Sequence, residues 1–302
     1  MPGSQRPNRE AGVARVRVGL AAVLVMVAFS QPGRAQRLAP GWGVSFPPFQ
    51  IAGNVYYVGD VDLASYLIAT PKGLILINSG VKEDVPIIKK SVEELGFHYK
   101  DIKILLISHA HFDHCEGSAE IIKETGARYF VMKGDVPLVE SGGTTDFRYG
   151  GDASFHFPPA KVDRVLHDGD KVALGGTVLV AHLTAGHTPG TTTWTMEEHE
   201  GGKTLQVVIV GSPNVNPGYI LVGNKEYPQI ADDYQRSFEV LESLPADIFL
   251  GAHGSYFGMK EKYQRAKEGD REAFFDPVGY KKYVQDRKQA FEAELKKQQH
   301  AK

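Results

Sequence analysis

Short apolar runs alternate with amphipathic stretches along most of the chain, and this alternation predicts a mixed α/β fold. Runs of branched apolar residues, typical of buried strands, end at polar or glycine-containing positions such as Ser79-Gly80 and Ser108. Strands are predicted at 54–58, 65–70, 74–78, 102–107, 128–132, 172–182 (a hairpin), 192–197, 204–210 and 247–250, and helices at 85–95, from 118, at 232–243 and at 279–299. Because strands and helices mix in both halves, we predict two packed sheets with helices on both outer faces.

Two segments lack a clear period. Residues 36–50 contain Pro, Gly and three aromatic side chains, and we expect them to form an extended arm on the domain. Residues 141–160 are rich in Gly, Thr, Phe and Pro and are expected to form a long loop over a site. Phe147, Phe155 and Phe157 of this loop either touch a substrate or pack against the domain, and the sequence leaves both roles open.

The N-terminus has the features of a secretory signal peptide. Arginines precede an apolar run at 18–29, and Gly33-Arg34-Ala35 is an acceptable cleavage site. We therefore expect a signal peptide at 1–35, a periplasmic location, and one mature domain at 36–302 that ends in a helix. The apolar run is shorter than an ordinary transmembrane helix, and an uncleaved membrane anchor is the alternative.

Composition excludes several classes of partner. Lys and Arg total 34 against 36 for Asp and Glu, and no basic stripe is present, so we expect no nucleic-acid partner. No later segment is apolar enough to span a bilayer, so the mature chain is expected to be free of the membrane. We also expect the mature chain to be a monomer. Cys115 is the only cysteine, which excludes an intramolecular disulfide; a small buried side chain is favoured over a metal thiolate or redox switch.

A dense cluster of possible metal ligands follows the predicted strand at 102–107. His109, His111, Asp113 and His114 lie within six positions, and imidazole and carboxylate are ligands that zinc prefers. His109 and His111 are two apart, so in extended backbone they point the same way and can share one metal. Asp113 and His114 lie where the chain turns, and they can reach a second metal about 3.5–4 Å away.

Two further histidines lie in glycine-containing loops after apolar strands. His187 is in Gly186-His187-Thr188-Pro189-Gly190, and His253 is in Gly251-Ala252-His253-Gly254. The six candidates give three ligands to each of two metals and leave an open position on each, as catalytic zinc sites require. His182 lies within a strand pattern and is interpreted as structural.

These motifs resemble those of the metallo-β-lactamase superfamily, and among its members most closely the third subclass of class B β-lactamases. The likeness runs from about Trp42 to Tyr280 and includes the segments 62–67, 109–114, 186–190 and 216–219. It implies a four-layer αβ/βα sandwich with the site at one edge. It also implies that His109, His111 and His187 bind one Zn²⁺ ion and that Asp113, His114 and His253 bind the other.

The end of the strand at 204–210 distinguishes members of this superfamily. Thioesterases, lactonases and zinc phosphodiesterases of the family usually place a metal-bridging Asp there, whereas this chain has Gly211 and Ser212. That pattern resembles the third β-lactamase subclass. Asn78 departs from the superfamily, in which many members have Asp, and weakens any expectation of a carboxylate that orients the ligands from that position.

The implied chemistry is hydrolysis of a small-molecule β-lactam by a zinc-bound hydroxide, with resistance to β-lactam antibiotics as the outcome. Water shared by two zinc ions has its pKa lowered toward about 7, and Asp113 and His111 are the predicted catalytic ligands, Asp113 also moving a proton. Ser212, Asn214 and Asn216 are candidate donors to the substrate carboxylate, or ordinary turn residues.

Two other functions remain possible from the sequence. One is a di-zinc hydrolase of thioesters or lactones, which the missing bridging Asp and the export signal disfavour. The other is a periplasmic zinc-binding or scaffold protein without activity, which the complete ligand set with open metal positions disfavours.

Overall fold

Two β-sheets lie face to face and carry the rest of the chain on their outer surfaces. The computed structural model describes residues 1–4 and 38–301, so most of the predicted signal peptide lies outside the described residues. The first sheet contains, in spatial order, β1 (Phe49–Ala52), β2 (Val55–Tyr57), β3 (Tyr66–Thr70), β4 (Gly73–Ile77), β5 (Ile102–Leu106), β6 (Arg128–Met132) and β7 (Arg164–Leu166). The second contains β8 (Lys171–Leu174), β9 (Thr177–Leu183), β10 (Thr192–Glu200), β11 (Lys203–Val210) and β12 (Ile248–Gly251).

Strand direction changes once within each sheet. Strands β1 to β4 pair antiparallel, whereas β4 to β7 run parallel. Strands β8 to β11 pair antiparallel, and β12 lies parallel to β11. The helices are α1 (Asp84–Glu94), α2 (Phe112–Cys115), α3 (Ser118–Thr125), α4 (Val136–Glu140), α5 (Ile230–Ser243), α6 (Met259–Lys267) and α7 (Pro277–His300).

Alternation along the strands divides the apolar residues between two cores. In β4, Ile75 and Ile77 face the second sheet, while Leu74 and Leu76 face the opposite side. The outer core of the first sheet is completed by α1 and α3, and the inner core extends through the second sheet to α5 and α7. Phe291 of α7 stacks with the ring of a tyrosine on α5. The layers are therefore helix, sheet, sheet and helix, and the predicted αβ/βα sandwich is confirmed.

The sequence pattern missed some elements and misjudged one. Residues 49–52 form edge strand β1, so the segment expected to be an extended arm ends inside the first sheet. Strand β7 and helix α6 were not predicted. Among the described residues, no helix combines the length and apolar character needed to cross a bilayer.

Candidate metal centre

The parallel strands of both sheets end at one edge of the sandwich, where the chemically active side chains lie. In the first sheet, β4, β5 and β6 lead to Asn78, His109 and Asp135. In the second sheet, β11 and β12 lead to Ser212 and His253. Ligand sites of α/β proteins form at the carboxyl ends of parallel strands. Both sheets therefore contribute to one site.

The loop after β5 carries four of the predicted ligands. His111 has extended backbone angles, and its ring centroid lies 4.9 Å from that of His109. Helix α2 begins at the next residue, and its single turn holds Asp113 and His114. The ring of His114 lies 4.3 Å from that of His109. The expected turn after the two histidines is thus a short helix that brings all four side chains together.

The other two predicted ligands enter from the second sheet. His187 follows Gly186, which has φ 131°, and a Cβ added at this glycine would lie 2.6 Å from the Tyr234 ring. Glycine is therefore required both by the backbone angle and by the close approach. His253 follows β12 and forms an isolated antiparallel bridge with Leu63, which fixes its position against the first sheet's connections.

All six predicted ligands converge into two adjoining groups. Ligand atoms lie within 4.8 Å of one another in the set His109, His111 and His187, and also in the set His109, Asp113 and His114. His253 joins the second set, because its Nε2 lies 3.2 Å from His114 Nε2 and 3.7 Å from Asp113 Oδ2. The two groups meet at His109.

The hydrogen bonds of His253 and His187 show which ring nitrogen can bind a metal. In each ring the outer nitrogen, Nδ1, has a hydrogen-bond partner, and the inner nitrogen, Nε2, faces the other ligands. His253 Nδ1 lies 3.0 Å from Asp62 Oδ2, and His187 Nδ1 lies 2.8 Å from the Asn214 carbonyl oxygen. Both partners only accept hydrogen bonds, so each outer nitrogen carries the proton and each inner nitrogen is free to bind a metal. The lone pair of His253 Nε2 then faces His114 Nε2 at 3.2 Å, a contact that a cation between them would make favourable. The donor set fits a metal ion.

Electrostatics favour a neutral His187 and an ionised Asp113, which are the forms that bind a metal. Burial, reinforced by nearby His111, lowers the pKa of His187 to about 3. Burial raises the pKa of Asp113, but the nearby His114, His253 and His111 together outweigh that effect, and the net pKa is lowered. Burial also lowers the pKa of His111, but Asp146, whose Oδ2 lies 3.5 Å from His111 Nε2, outweighs it together with Asp113 and Asp135, and the net pKa is raised. Asp146 thus orients His111 from the outer side, as carboxylates do for metal-bound histidines.

One buried carboxylate joins the two loops that carry the first group. Asp135 is fully buried and accepts hydrogen bonds from the Ala110 amide at 2.8 Å and the Gly190 amide at 2.7 Å. The Thr188 hydroxyl also donates to it at 2.8 Å. The backbones beside His109 and His187 are therefore fixed relative to each other by a single side chain.

A cavity of about 230 Å³ opens over the ligands. Its lining combines ligands with aromatic side chains and a few polar groups. The lining residues are Trp42, Ala110, His111, Phe112, Asp113, Gly143, Asp146, Tyr149, Phe155, Phe157, His187, Asn216, His253 and Tyr256. Such a mainly apolar wall with few polar groups is typical of small-molecule sites.

The three residues predicted to bind the substrate lie in different places. Asn216 lines the cavity, whereas Ser212 and Asn214 do not. Ser212 is fully buried, and its Oγ lies 3.2 Å from the Tyr256 hydroxyl. The Asn214 side-chain amide donates to the same hydroxyl at 2.7 Å. Tyr256 therefore stands between these two residues and the cavity.

The loop at 141–160 covers the site, and its aromatic residues divide between the two roles left open. Phe155 and Phe157 line the cavity. Phe147 instead packs on Tyr219, with ring centroids 5.0 Å apart. Tyr149 stacks on Phe155 at 4.4 Å and reaches the cavity beside the first ligand group.

Residues that the sequence marked as uncertain have structural contacts. Asn78 accepts from the Ser108 amide at 2.7 Å and so holds the backbone before His109. Cys115 is buried in the outer core, as expected of a small apolar side chain. His182 donates to or accepts from Thr195 on the neighbouring strand, away from the ligands.

Several site residues were not found by sequence reasoning. Asp62 and Asp146 orient ligand histidines, while Trp42, Tyr149 and Tyr256 form cavity walls. Asp62 begins a segment used for the family resemblance, but nothing in that segment shows that its carboxylate meets a histidine 191 positions later. Tyr256 follows the predicted ligand His253 by three residues, and this short separation is the sequence feature that could have placed it near the second ligand group.

Comparison with known proteins agrees with this geometry. The family model of the Metallo-beta-lactamase superfamily matches residues 58–253. Native FEZ-1 metallo-beta-lactamase from Legionella gormanii is 56% identical, with 85% of this chain and 98% of that chain covered and a TM-score of 0.84. BJP-1, a subclass B3 metallo-beta-lactamase of Bradyrhizobium japonicum, is 38% identical over 87% of this chain and 98% of its own, with a TM-score of 0.81.

A third solved structure is described as containing two zinc ions. The class B3 di-zinc metallo-beta-lactamase LRA-12, from an Alaskan soil metagenome, is 34% identical over 84% of this chain and 96% of its own, with a TM-score of 0.81. Family match, fold and the converging histidines and aspartate all agree. The chain belongs to the metallo-β-lactamase superfamily, and its structural neighbours include subclass B3 enzymes.

Proposed function

We propose that the mature chain is a periplasmic di-zinc β-lactamase, acting as a monomer, that protects a cell from β-lactam antibiotics. By its family and its similarity to named metallo-β-lactamases, the chain is a β-lactam hydrolase. The zinc count, the role of each residue, the location and the resistance are our proposal. The observation that carries it is the convergence of five histidine side chains and one carboxylate at a single cavity.

The two ligand groups divide the metals between them. We assign His109, His111 and His187 to one Zn²⁺ ion and Asp113, His114 and His253 to the other. When bound, the ions supply Lewis acidity and lower the pKa of water toward about 7, so that a nucleophile exists at neutral pH. Three ligands for each ion leave room for solvent and substrate.

Asp113 and His111 are the proposed catalytic ligands. The Asp113 carboxylate has a lowered pKa and faces both His114 and His253, at 3.3 and 3.7 Å. It lines the cavity, so it can hold the proton released by the attacking water and pass it to the departing lactam nitrogen. His111 also lines the cavity, and Asp146 keeps its ring oriented.

The end of β11 supports a β-lactam substrate over a thioester or lactone. This position contributes Gly211 and Ser212, and neither offers a carboxylate to bridge two metals. Phe155, Phe157 and Trp42 provide apolar surface for the ring system of a bicyclic substrate.

A metal count combined with two substrates tests the proposal. Purified residues 36–302 should contain two zinc ions per chain and hydrolyse a chromogenic cephalosporin, and a chelator should abolish the rate until zinc is restored. A serine-directed β-lactamase inhibitor should have no effect. Full activity in metal-free protein, or turnover of a glutathione thioester in preference to the cephalosporin, would contradict the proposal. Size-exclusion chromatography with light scattering tests the monomer.

Expression in a susceptible Gram-negative host tests location and resistance. The chain with residues 1–35 should appear in the periplasmic fraction without those residues and should raise the minimum inhibitory concentration of a β-lactam. The same chain without residues 1–35 should remain inside the cell and give little protection. Equal protection by both would contradict the export prediction.

A further inference from the structure

The cavity must bind an anionic substrate without a basic side chain. Penicillins, cephalosporins and carbapenems carry a carboxylate on the carbon attached to the lactam nitrogen. Among the described residues that line the cavity, none is Lys or Arg. Of the three donors to this carboxylate that the sequence predicted, Ser212 and Asn214 lie behind the wall rather than in it. Asn216 lines the cavity, but its amide donates to Tyr149, on the side of the first ligand group. A neutral donor in the wall itself is therefore needed.

The hydroxyl of Tyr256 has two hydrogen-bonding neighbours on the side away from the cavity. The Asn214 Nδ2 group donates to it at 2.7 Å, and Ser212 Oγ lies 3.2 Å away. The orientation of Asn214 follows from Arg287, whose Nη1 lies 3.5 Å from Asn214 Oδ1. Since a guanidinium only donates, the amide must turn its oxygen toward Arg287 and its nitrogen toward Tyr256.

The proton of Tyr256 is consequently directed into the cavity. Within the described part of the chain, Ser212 Oγ has Tyr256 as its one hydrogen-bond acceptor, because Asn214 approaches it only as a donor. If Ser212 donates to Tyr256 as well, both lone pairs of the phenol are used and its own O–H is free. Donation from Arg287 through Asn214 polarises the phenol and strengthens its O–H as a donor. A phenol keeps its proton at neutral pH.

The position of Tyr256 matches the position of the substrate carboxylate. Its ring lies 4.9 Å from that of His253, in the group assigned to the second zinc. The lactam nitrogen must approach this side, because Asp113, the proposed proton donor to it, belongs to the same group. The carboxylate is one carbon from that nitrogen.

We propose that the Tyr256 hydroxyl, held by Asn214 and Ser212, donates the hydrogen bond that binds the carboxylate of the β-lactam. This inference rests on the proposed function and adds a specificity-determining residue to it. In this proposal Ser212 and Asn214 orient the Tyr256 hydroxyl and do not contact the substrate directly.

Tyr149 offers a matched control on the opposite side. Its hydroxyl accepts from Asn216 Nδ2 at 3.1 Å and lines the same cavity. Its ring lies 5.4 Å from that of His111, in the first ligand group, away from the nitrogen side. Replacing either tyrosine with Phe keeps the ring and leaves one asparagine amide without its partner, so the structural disturbance is similar.

The test compares a cephalosporin carboxylic acid with its methyl ester. For Tyr256→Phe, kcat/KM on the acid should fall about 10- to 100-fold, mostly through KM, as expected for loss of a hydrogen bond to a charged group. The ester should change by less than about twofold on the same reasoning. For Tyr149→Phe the acid and the ester should change by the same factor. Zinc content and thermal unfolding are measured for each variant.

A second variant keeps the tyrosine and turns its proton away. Asn214→Asp keeps the backbone carbonyl that orients His187. The new carboxylate pairs with Arg287 and accepts a hydrogen bond from the Tyr256 hydroxyl, which therefore no longer points into the cavity. It should show the same acid-specific loss. Equal losses on acid and ester, or no loss, in both Tyr256→Phe and Asn214→Asp would overturn the inference. Failure of the unsubstituted protein to hydrolyse either compound would instead overturn the proposed function.

Discussion

The loops that carry His109 and His187 depend on a single buried carboxylate, and its replacement gives a sharp prediction. In Asp135→Asn the side chain keeps its shape, but one oxygen becomes an NH₂ group. Asp135 Oδ2 accepts from Ala110 and Thr188, and Oδ1 accepts from Gly190. An amide can satisfy only one side. Its oxygen would stay with Ala110 and Thr188, and its NH₂ would then face the Gly190 N–H.

The expected cost follows from these three contacts. A buried N–H left without an acceptor costs about 1–3 kcal/mol, and two hydrogen bonds that lose their charged acceptor weaken by about 0.5–1 kcal/mol each. Burial raises the pKa of Asp135 to about 6, so part of this loss is offset because a buried charge is removed. We expect Asp135→Asn to lower the free energy of unfolding by about 2–4 kcal/mol near neutral pH.

A measurement of zinc affinity distinguishes a general loss of stability from a loss of alignment between the loops that carry His109 and His187. If Asp135 fixes one ligand loop against the other, the substitution should also weaken zinc affinity by about 10-fold or more. The increment in stability that zinc provides should then shrink by about 1.4 kcal/mol at equal free zinc. Denaturant unfolding with and without zinc, and a chelator competition titration, measure both quantities.

Asp163→Asn provides the control. Asp163 is exposed, accepts from the Tyr129 amide at 2.8 Å, and does not line the cavity. Its substitution should cost no more than about 1 kcal/mol and leave zinc affinity unchanged. The reasoning is refuted if Asp135→Asn costs no more than this control, or if it loses stability while its zinc affinity equals that of the parent protein.

Three further outcomes are expected. His253→Ala should lower bound zinc and the β-lactamase rate together, since His253 Nε2 lies 3.2 Å from His114 Nε2; unchanged metal content by atomic emission would remove it from the site. Asp62→Asn should weaken zinc binding about 10- to 100-fold, because it removes the carboxylate 3.0 Å from His253 Nδ1, and chelator competition that shows parental affinity would contradict this. The metal-free protein should lose stability as pH falls through about 6.5: the pKa of His187 is lowered to about 3, so the unfolded chain binds the proton more readily, and this histidine alone accounts for about 2 kcal/mol between pH 7.5 and pH 5. A flat denaturation midpoint over that range would count against buried neutral imidazoles.

The features that the sequence predicted are those that depend on the local pattern of apolar and polar residues. The runs at 74–78 and 102–107 are apolar on both faces, which identifies central parallel strands, and those strands end at Asn78 and His109. Helix α6 was missed because it offers little apolar period: Met259 and Lys262 are its buried residues, and Lys262 pairs with Asp276 at 2.8 Å. Such a helix is held by tertiary contacts, this ion pair and the packing of Tyr263 on Phe49 among them, that no local pattern records.

Contacts between distant segments account for what the sequence could not predict. Asp62 meets His253 because the isolated bridge at Leu63 brings two connections together, and Asp146 reaches His111 from a loop without a period. The pairing of Asp62 with His253 depends on how the two sheets are stacked, because the two segments belong to different sheets. Asp146 and His111 lie in loops that follow neighbouring strands of the first sheet. Tyr256 similarly becomes a wall residue only once the loop after β11 lies beneath it.

The charges around the ligand groups also explain how the cavity can bind an anionic substrate without a basic side chain in its lining. Two divalent ions would bring four positive charges, and three carboxylates lie against the ligand groups: Asp113 within the second, Asp62 behind His253 and Asp146 behind His111. One positive charge remains before a hydroxide binds to the ions, and this charge attracts an anion to the cavity without fixing where it binds. Neutral donors on the wall can then decide its orientation, because a hydrogen bond has a direction that a screened point charge lacks. The attraction of the substrate by the metals and its orientation by Tyr256 are thus separable. Removal of the phenolic oxygen in Tyr256→Phe is therefore expected to lower kcat/KM for the acid and not for the ester, while the metals stay bound.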